Sequence, residues 1–309
     1  MKTTTGAGAS VPAQGETAGV LYAALAYILW GILPVYWRIL DAVPAFTLSV
    51  HRIFWCAVFV GGLTWWRGRL KDVRDVLRQR KLLLALCCSS LLIAANWTIY
   101  IFAIAEHKVV EASLGYFLNP LLSILLGVFL LGEKISFWRI VAVLIASVGL
   151  VAKTVTIGHV PLIAVSLALT FGFYGYVRKQ VPVDPLDGLF IESGLLMPFT
   201  LVFLLVTGFT NPVAFPRAPI GIDALLVLAG PITAVPLALF AAGARRIRLS
   251  TLGFVQYFSP AITLVVAVWL FHEPFGGLDL ISFGCIWAAL VLVIAEKQLQ
   301  RLIPATSGV

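Results

Sequence analysis

The sequence predicts an all-α membrane protein of ten transmembrane helices, arranged as two inverted five-helix repeats around a central cavity. Three observations predict it. Of 309 residues, 61% are hydrophobic and 12% charged, with a mean hydropathy of +1.00, whereas soluble domains hold about 45–50% apolar and about 25% charged residues. The chain divides into ten apolar runs, each near the roughly 20 residues needed to cross a hydrocarbon core of about 30 Å. It also superimposes on itself when shifted by 140 residues.

Residues 1–17 (MKTTTGAGASVPAQGET) hold no hydrophobic run and read as a disordered cytoplasmic tail. The first run, 18–37, is long enough to span, so a retained helix is expected rather than a cleaved signal. The second, 45–66, carries Arg52; the third, 82–105, carries Asn96 and Trp97. Between them RGRLKDVRDVLRQRK (67–81) places Leu70, Val73 and Leu77 at helical spacing among cations. That spacing suits a short interfacial helix, and the cations also fix orientation. The fourth run, 109–131, opens at Glu111 and contains Pro120; the fifth, 137–153, completes a first repeat over 18–153. The runs 159–177, 186–207, 222–243, 251–271 and 277–295 form a second repeat over 159–296, with Glu192 in the seventh and Pro260 in the ninth. Residues 297–309 are a C-terminal cytoplasmic tail. Short connections leave no room for a soluble catalytic domain or a nucleic-acid-binding module.

The excess of 22 Lys and Arg over 14 Asp and Glu is read as topology. With a cytoplasmic N-terminus, 17 of the 22 cations fall inside, Arg38, Lys108, Lys153 and Arg217 fall outside, and Arg52 falls within a span. Both termini are therefore expected in the cytoplasm. The four cysteines, Cys56, Cys87, Cys88 and Cys285, all lie in apolar runs and define neither a disulfide framework nor a metal site.

The 140-residue shift places Tyr36-x-Arg38 on Tyr176-x-Arg178, Phe117 on Tyr257, Asn119-Pro120 on Ser259-Pro260 and Glu133 on Glu273. Several matches at one offset indicate duplication. Five spans per copy is an odd number, so the second copy enters the membrane from the opposite face. Inverted repeats recur in secondary transporters, where two similar halves exchange conformations around a central site. Pro120 and Pro260 each remove a helix hydrogen bond and release the carbonyls of Tyr116 and Gln256. Freed backbone at that depth suits a wet pathway, so both prolines are expected as kinks lining it; a proline satisfied by neighbouring hydroxyls is the alternative.

HRIFW (51–55), NW (96–97), EASLGYFLNP (111–120), LLGE (130–133), GFYGYVRK (172–179) and RLSTLGFVQYFSP (248–260) resemble the RarD branch of the EamA family, within the drug/metabolite transporter superfamily. The resemblance covers Gly19 to Glu296. It implies transport of small metabolites or drugs, generally outward.

Ionisable groups within a bilayer are costly and mark a pathway or a partner. Arg52 and Glu192 are paired by the repeat, each roughly 10 Å from its own surface at 1.5 Å per residue. Arg52 suits a solute carboxylate and Glu192 an ammonium or a coupling proton; structural roles are open to both. Asn96 and Trp97 are candidates for the cavity wall, with Asn96 equally suited to an interhelical hydrogen bond. Tyr116, Gln256 and Tyr257 flank the kinks as candidate solute contacts, with Trp30, Tyr174 and Tyr176 behind them. His51 is a candidate relay or a packing residue, and Glu111 a gating group or a helix cap. Glu133 and Glu273 are expected to make structural hydrogen bonds.

A P-loop and an HExxH motif are both missing, so neither direct ATP use nor that metal chemistry is expected, and no cofactor is implied. The partners expected are a small-molecule solute, the lipid bilayer and coupling protons, with no nucleic acid. A membrane-embedded lipid-modifying enzyme and a passive channel are the alternatives to a coupled carrier.

Overall fold

A computed structural model describes residues 13–105, 109–155, 162–210, 215–216, 219–272, 276–296, 298 and 300. Regular structure among them is helical throughout. The helices are α1 (Ala13–Ile39), α2 (Ala45–Trp66), α3 (Leu70–Arg78), α4 (Arg80–Ala105), α5 (Val109–Leu131) and α6 (Phe137–Val155). They continue with α7 (Leu162–Gln180), α8 (Pro185–Thr210), α9 (Ile220–Ala244), α10 (Leu249–Gln256), α11 (Phe258–Val265) and α12 (Gly277–Ile294). A π-helical turn, Val266–Leu270, extends α11.

The helix α1 begins at Ala13, inside the segment expected to be a disordered tail. Glu16 in its first turn complements the positive helix end, which favours those extra residues. The cationic loop does contain a helix: α3 buries Val73 in a cluster with Leu86, Val181, Val183 and Ile191, leaving Leu70 and Leu77 exposed. Two glycines set chain reversals that other residues would strain. Gly68 (φ +69) follows α2 and Gly132 (φ +63) ends α5, both in the left-handed region.

Among the described residues, six helical runs are long and apolar enough to cross a membrane: α1, α2, α4, α8, α9 and the joined run Leu249–Leu270. Shorter apolar stretches lie in α5, α6 and α12. Large side chains such as Phe129, Phe199 and Trp269 point outward, exposed by 78%, 76% and 80%. Apolar surface on this scale requires a lipid environment. The main core joins Tyr27, Val60, Tyr174, Leu237, Phe240 and Leu252 from five helices. A second cluster, with Phe117, Tyr257, Ala142 and Ile286, fastens α6 and α12 behind α5, α10 and α11.

The two prolines behave differently, contrary to the expectation of paired kinks. α5 runs unbroken through Pro120, whereas the helix is interrupted at Tyr257, between α10 and α11, three residues before Pro260. Both prolines are buried. A Cβ on Gly253 of α10 would stand 2.6 Å from the Pro120 carbonyl oxygen, so the proline regions of α5 and α10 press against each other instead of lining open space.

Candidate functional site

The connections at one end of the molecule are drawn together around α3. Arg69, just before α3, holds Asp187 on α8 (Nη2 to Oδ2 2.7 Å, Nε to Oδ2 3.0 Å) and reaches Asp184 at 3.6 Å. Arg245 donates to the Val183 carbonyl, and Arg178 Nη2 donates to the Pro185 carbonyl at 3.2 Å. Three arginines from separate elements thus stitch one acidic turn. Glu133 works beside them, accepting from Leu249 N (2.6 Å), Ser250 N (2.9 Å) and Ser250 Oγ (2.7 Å). It therefore caps α10 across the molecule, which satisfies helix-end donors and complements their charge.

Just inside this stitched end lies Glu192, 2% exposed. Its carboxylate accepts from Ser89 Oγ, meets Tyr174 Oη at 3.5 Å and forms an ion pair with Arg178 at 3.5 Å. Ser90 Oγ donates to the Glu192 carbonyl at 2.9 Å. Arg178, counted from sequence among the cytoplasmic cations, is 1% exposed, so its charge is internal. Gly188 gives it passage: a Cβ there would meet Arg178 Nη1 at 2.2 Å. A solute ammonium therefore finds this carboxylate already engaged.

Above Glu192 a small cavity of ≈ 10 Å³ is lined by Cys56, Ile93, Tyr174, Leu189 and Leu237 together with Ile53, Trp97 and Leu196. Those last three also line a larger groove of ≈ 200 Å³ between α2, α4 and α8. The remaining groove wall includes Phe46, Ser49, Val50, Thr98, Phe199 and Thr200, on the halves of these helices remote from α3. Trp97 lines both the small cavity and the groove.

Arg52 does not line the groove itself but contacts Trp97, which does. Its guanidinium lies 4.7 Å from the centre of the Trp37 ring and 5.2 Å from that of Trp97, and Nε donates to Thr233 Oγ1 at 3.2 Å. It also interacts electrostatically with Tyr100 and Tyr116, whose ring centres are 6.3 Å apart. Tyr116 is half-exposed beside this charge and hydrogen-bonds with Tyr100.

Other candidates are placed elsewhere. Asn96 Nδ2 donates to the Leu167 carbonyl and to Thr170 Oγ1, each at 2.9 Å, so the amide ties α4 to α7. Gln256 is 4% exposed and accepts from Ser123 Oγ at 3.2 Å, joining α10 to α5. Tyr257 packs into the α6 and α12 cluster with its hydroxyl unpartnered. In each case the rotation of the helix about its axis directs the group into packing. His51 is 1% exposed, accepts from Trp55 Nε1 at 3.3 Å and meets the Phe215 ring at 5.2 Å. The groove is lined by its neighbours Ser49, Val50 and Ile53, not by His51. The side chain of Glu111 lies outside the described residues, as does Glu273. Trp37, Ser89, Arg178 and Thr233 were not picked out as site residues; for Trp37 and Arg178 the repeated Tyr-x-Arg motif was the available signal. No metal-ligand cluster occurs among the described residues.

Both halves of the chain, residues 17–153 and 160–295, separately match the EamA-like transporter family. The chain belongs to that family. Within it, the chain is 40% identical to the uncharacterized transporter YojE of Bacillus subtilis over 278 residues, covering 89% of this chain and 92% of YojE. It is 36% identical to the protein RarD of Escherichia coli, covering 90% and 94%, and sits on the RarD branch. A solved crystal structure shares the fold, with a TM-score of 0.68 over 90% of this chain and 98% of that one, at 21% identity. This EamA-like protein is accordingly a multi-pass membrane transporter, with a small molecule as its substrate.

Proposed function

We propose that this chain is a ten-span secondary transporter that exports small amphipathic solutes from the cytoplasm by alternating access between two inverted halves. One observation carries the reading: a groove lined by α2, α4 and α8 leads down to a charged network that is buried at the α3 end. That end holds most of the cations, so it is assigned to the cytoplasm together with both termini. The protein then stands closed on the inside.

The packing of the helices supports the inverted duplication. α1 packs on α9 as α7 packs on α4, and α11 packs on α1 as α5 packs on α7. The pairs α2–α8, α6–α12 and α5–α10 join equivalent helices of the two halves. Such exchange of equivalent contacts is what an in-plane two-fold axis produces.

The repeat also gives a reason for the closed inner end. Arg178 pairs with Glu192, and the 140-residue shift maps these onto Arg38 and Arg52. Two cations cannot form the equivalent bridge, and Arg38 instead lies over Phe271 at 5.4 Å. An ion pair holds one side shut while like charges leave its counterpart unlatched. Glu192 serves as the coupling group: a proton taken there neutralises it and releases Arg178 to open the inner side.

Proteoliposomes carrying the purified chain test this reading. A carrier accumulates an unaltered solute against its gradient, and an uncoupler collapses the accumulation. Equilibration insensitive to the uncoupler identifies a channel, and chemical conversion of the solute or of lipid identifies an enzyme. Impermeant maleimide should label Ser49→Cys from outside and Gln79→Cys only after permeabilisation; the reverse pattern overturns the orientation.

A further inference from the structure

We infer that the solute carried in this groove is an amphipathic monoanion, a carboxylate on a small aromatic or aliphatic body, held through Arg52; the inference rests on the transporter reading above. Several other arginines have carboxylates, whereas Arg245 at the closed end is held by the Val183 carbonyl. Arg69 has Asp187 and Asp184, Arg178 has Glu192, and Arg139 on α6 has Glu296 at 2.8 Å. Arg52 has none among the described residues, and Thr233 Oγ1 is its hydrogen-bond acceptor there. Among the described residues its two terminal nitrogens, the prongs that grip a carboxylate in parallel, have no hydrogen-bond acceptor.

An unpaired guanidinium within a membrane needs compensation. The faces of Trp37 and Trp97 supply part of it, since an aromatic ring attracts a cation without neutralising it. The net positive charge remains, so the site repels an ammonium pole and favours a single negative one. Glu192 offers a cationic solute no free counter-charge, because Arg178 occupies it.

The rest of the solute is set by the groove lined by Trp97, whose ring the guanidinium contacts. Its wall is Phe46, Val50, Ile53, Leu196, Phe199 and Phe203, relieved by the hydroxyls of Ser49, Thr98 and Thr200. Such a lining takes an apolar body and a few hydroxyl contacts. Its ≈ 200 Å³ falls below the about 300 Å³ at which pockets for drug-sized ligands begin. A small aryl or alkyl acid fits these terms, with its carboxylate at Arg52 and its body along Trp97.

Three probes of one shape and different charge test the assignment: phenylacetate, phenylacetamide and 2-phenylethylamine. Binding is read in nanodiscs by quenching of tryptophan fluorescence in the wild type, Arg52→Lys and Arg52→Gln. The expected result is phenylacetate binding about tenfold or more tighter than phenylacetamide, with that advantage lost in Arg52→Gln and partly kept in Arg52→Lys. Tightest binding of phenylethylamine, binding of none of the three, or an advantage that survives Arg52→Gln overturns the inference. Should the Gln variant fail to fold, the wild-type ranking alone decides the charge preference. Flux in proteoliposomes separates the two readings. Phenylacetate that binds through Arg52 but never crosses removes the transporter while leaving the site, and transport of phenylethylamine in preference to phenylacetate removes the anion site while leaving the transporter.

Discussion

Arg178 and Glu192 stand 3.5 Å apart with 1% and 2% of their side-chain surfaces exposed, an ion pair sealed between α7 and α8. Burying two charges is costly, and their attraction with the surrounding hydrogen bonds offsets that cost only while both are present. Each partner makes the other tolerable.

Removing one partner should therefore hurt more than removing both. Glu192→Gln or Arg178→Gln alone is expected to destabilise by about 3–5 kcal/mol, because an uncompensated charge stays buried. The double replacement should recover at least part of that loss. Thermal unfolding of the four proteins in one detergent gives the coupling; simple additivity would show that the pair does not act as a unit.

Glu133→Ala should lower the melting temperature by taking three hydrogen bonds from the start of α10. Bonds to a charged acceptor contribute about 1.5–3 kcal/mol each in favourable cases. Glu133→Gln should fall between, since an amide oxygen still accepts but carries no charge. Equal melting of wild type and the Ala variant would remove the capping role.

Small residues at helix crossings set how closely the halves approach. A Cβ on Gly230 would lie 2.4 Å from the Trp55 carbonyl carbon, and one on Gly253 2.6 Å from the Pro120 carbonyl oxygen. Backbone cannot yield as a side chain can, so Gly230→Ala and Gly253→Ala should separate α9 from α2 and α10 from α5. Size-exclusion profiles and melting temperatures should both deteriorate, and unchanged values for Gly253→Ala would mean that the crossing is looser than its geometry shows.

Tyr257→Phe should leave transport intact and the melting temperature equal or higher. The phenol is 1% exposed in an apolar cluster and its hydroxyl has no partner, a situation that costs about 1–3 kcal/mol. The repeat places Phe117 at the equivalent position, where the ring alone suffices. A fall in transport with folding preserved would return Tyr257 to the solute pathway.

Helix position and repeat periodicity were legible in the sequence because each depends on local hydropathy and on matches along one chain. α2, for instance, spans Ala45–Trp66, the run that composition marks out, and the family match divides the chain where the 140-residue shift does. The depth of Arg52 and Trp97 within apolar runs was legible for a similar reason.

Which residue meets which was decided only in three dimensions. Successive helix positions turn by about 100°, from the 3.6 residues of each turn, so hydropathy that is nearly uniform around a span does not say which face looks inward. Asn96 turned to α7, Gln256 to α5 and Tyr257 to the α6–α12 layer, while Arg178 turned inward to claim the carboxylate of Glu192. The sequence alone determined that this chain crosses a membrane as a doubled array of helices. The tertiary packing determined where its charges are matched and that Arg52 meets Trp37, Trp97 and Thr233, because contacts between helices far apart in the chain depend on rotation and close approach that no single span records.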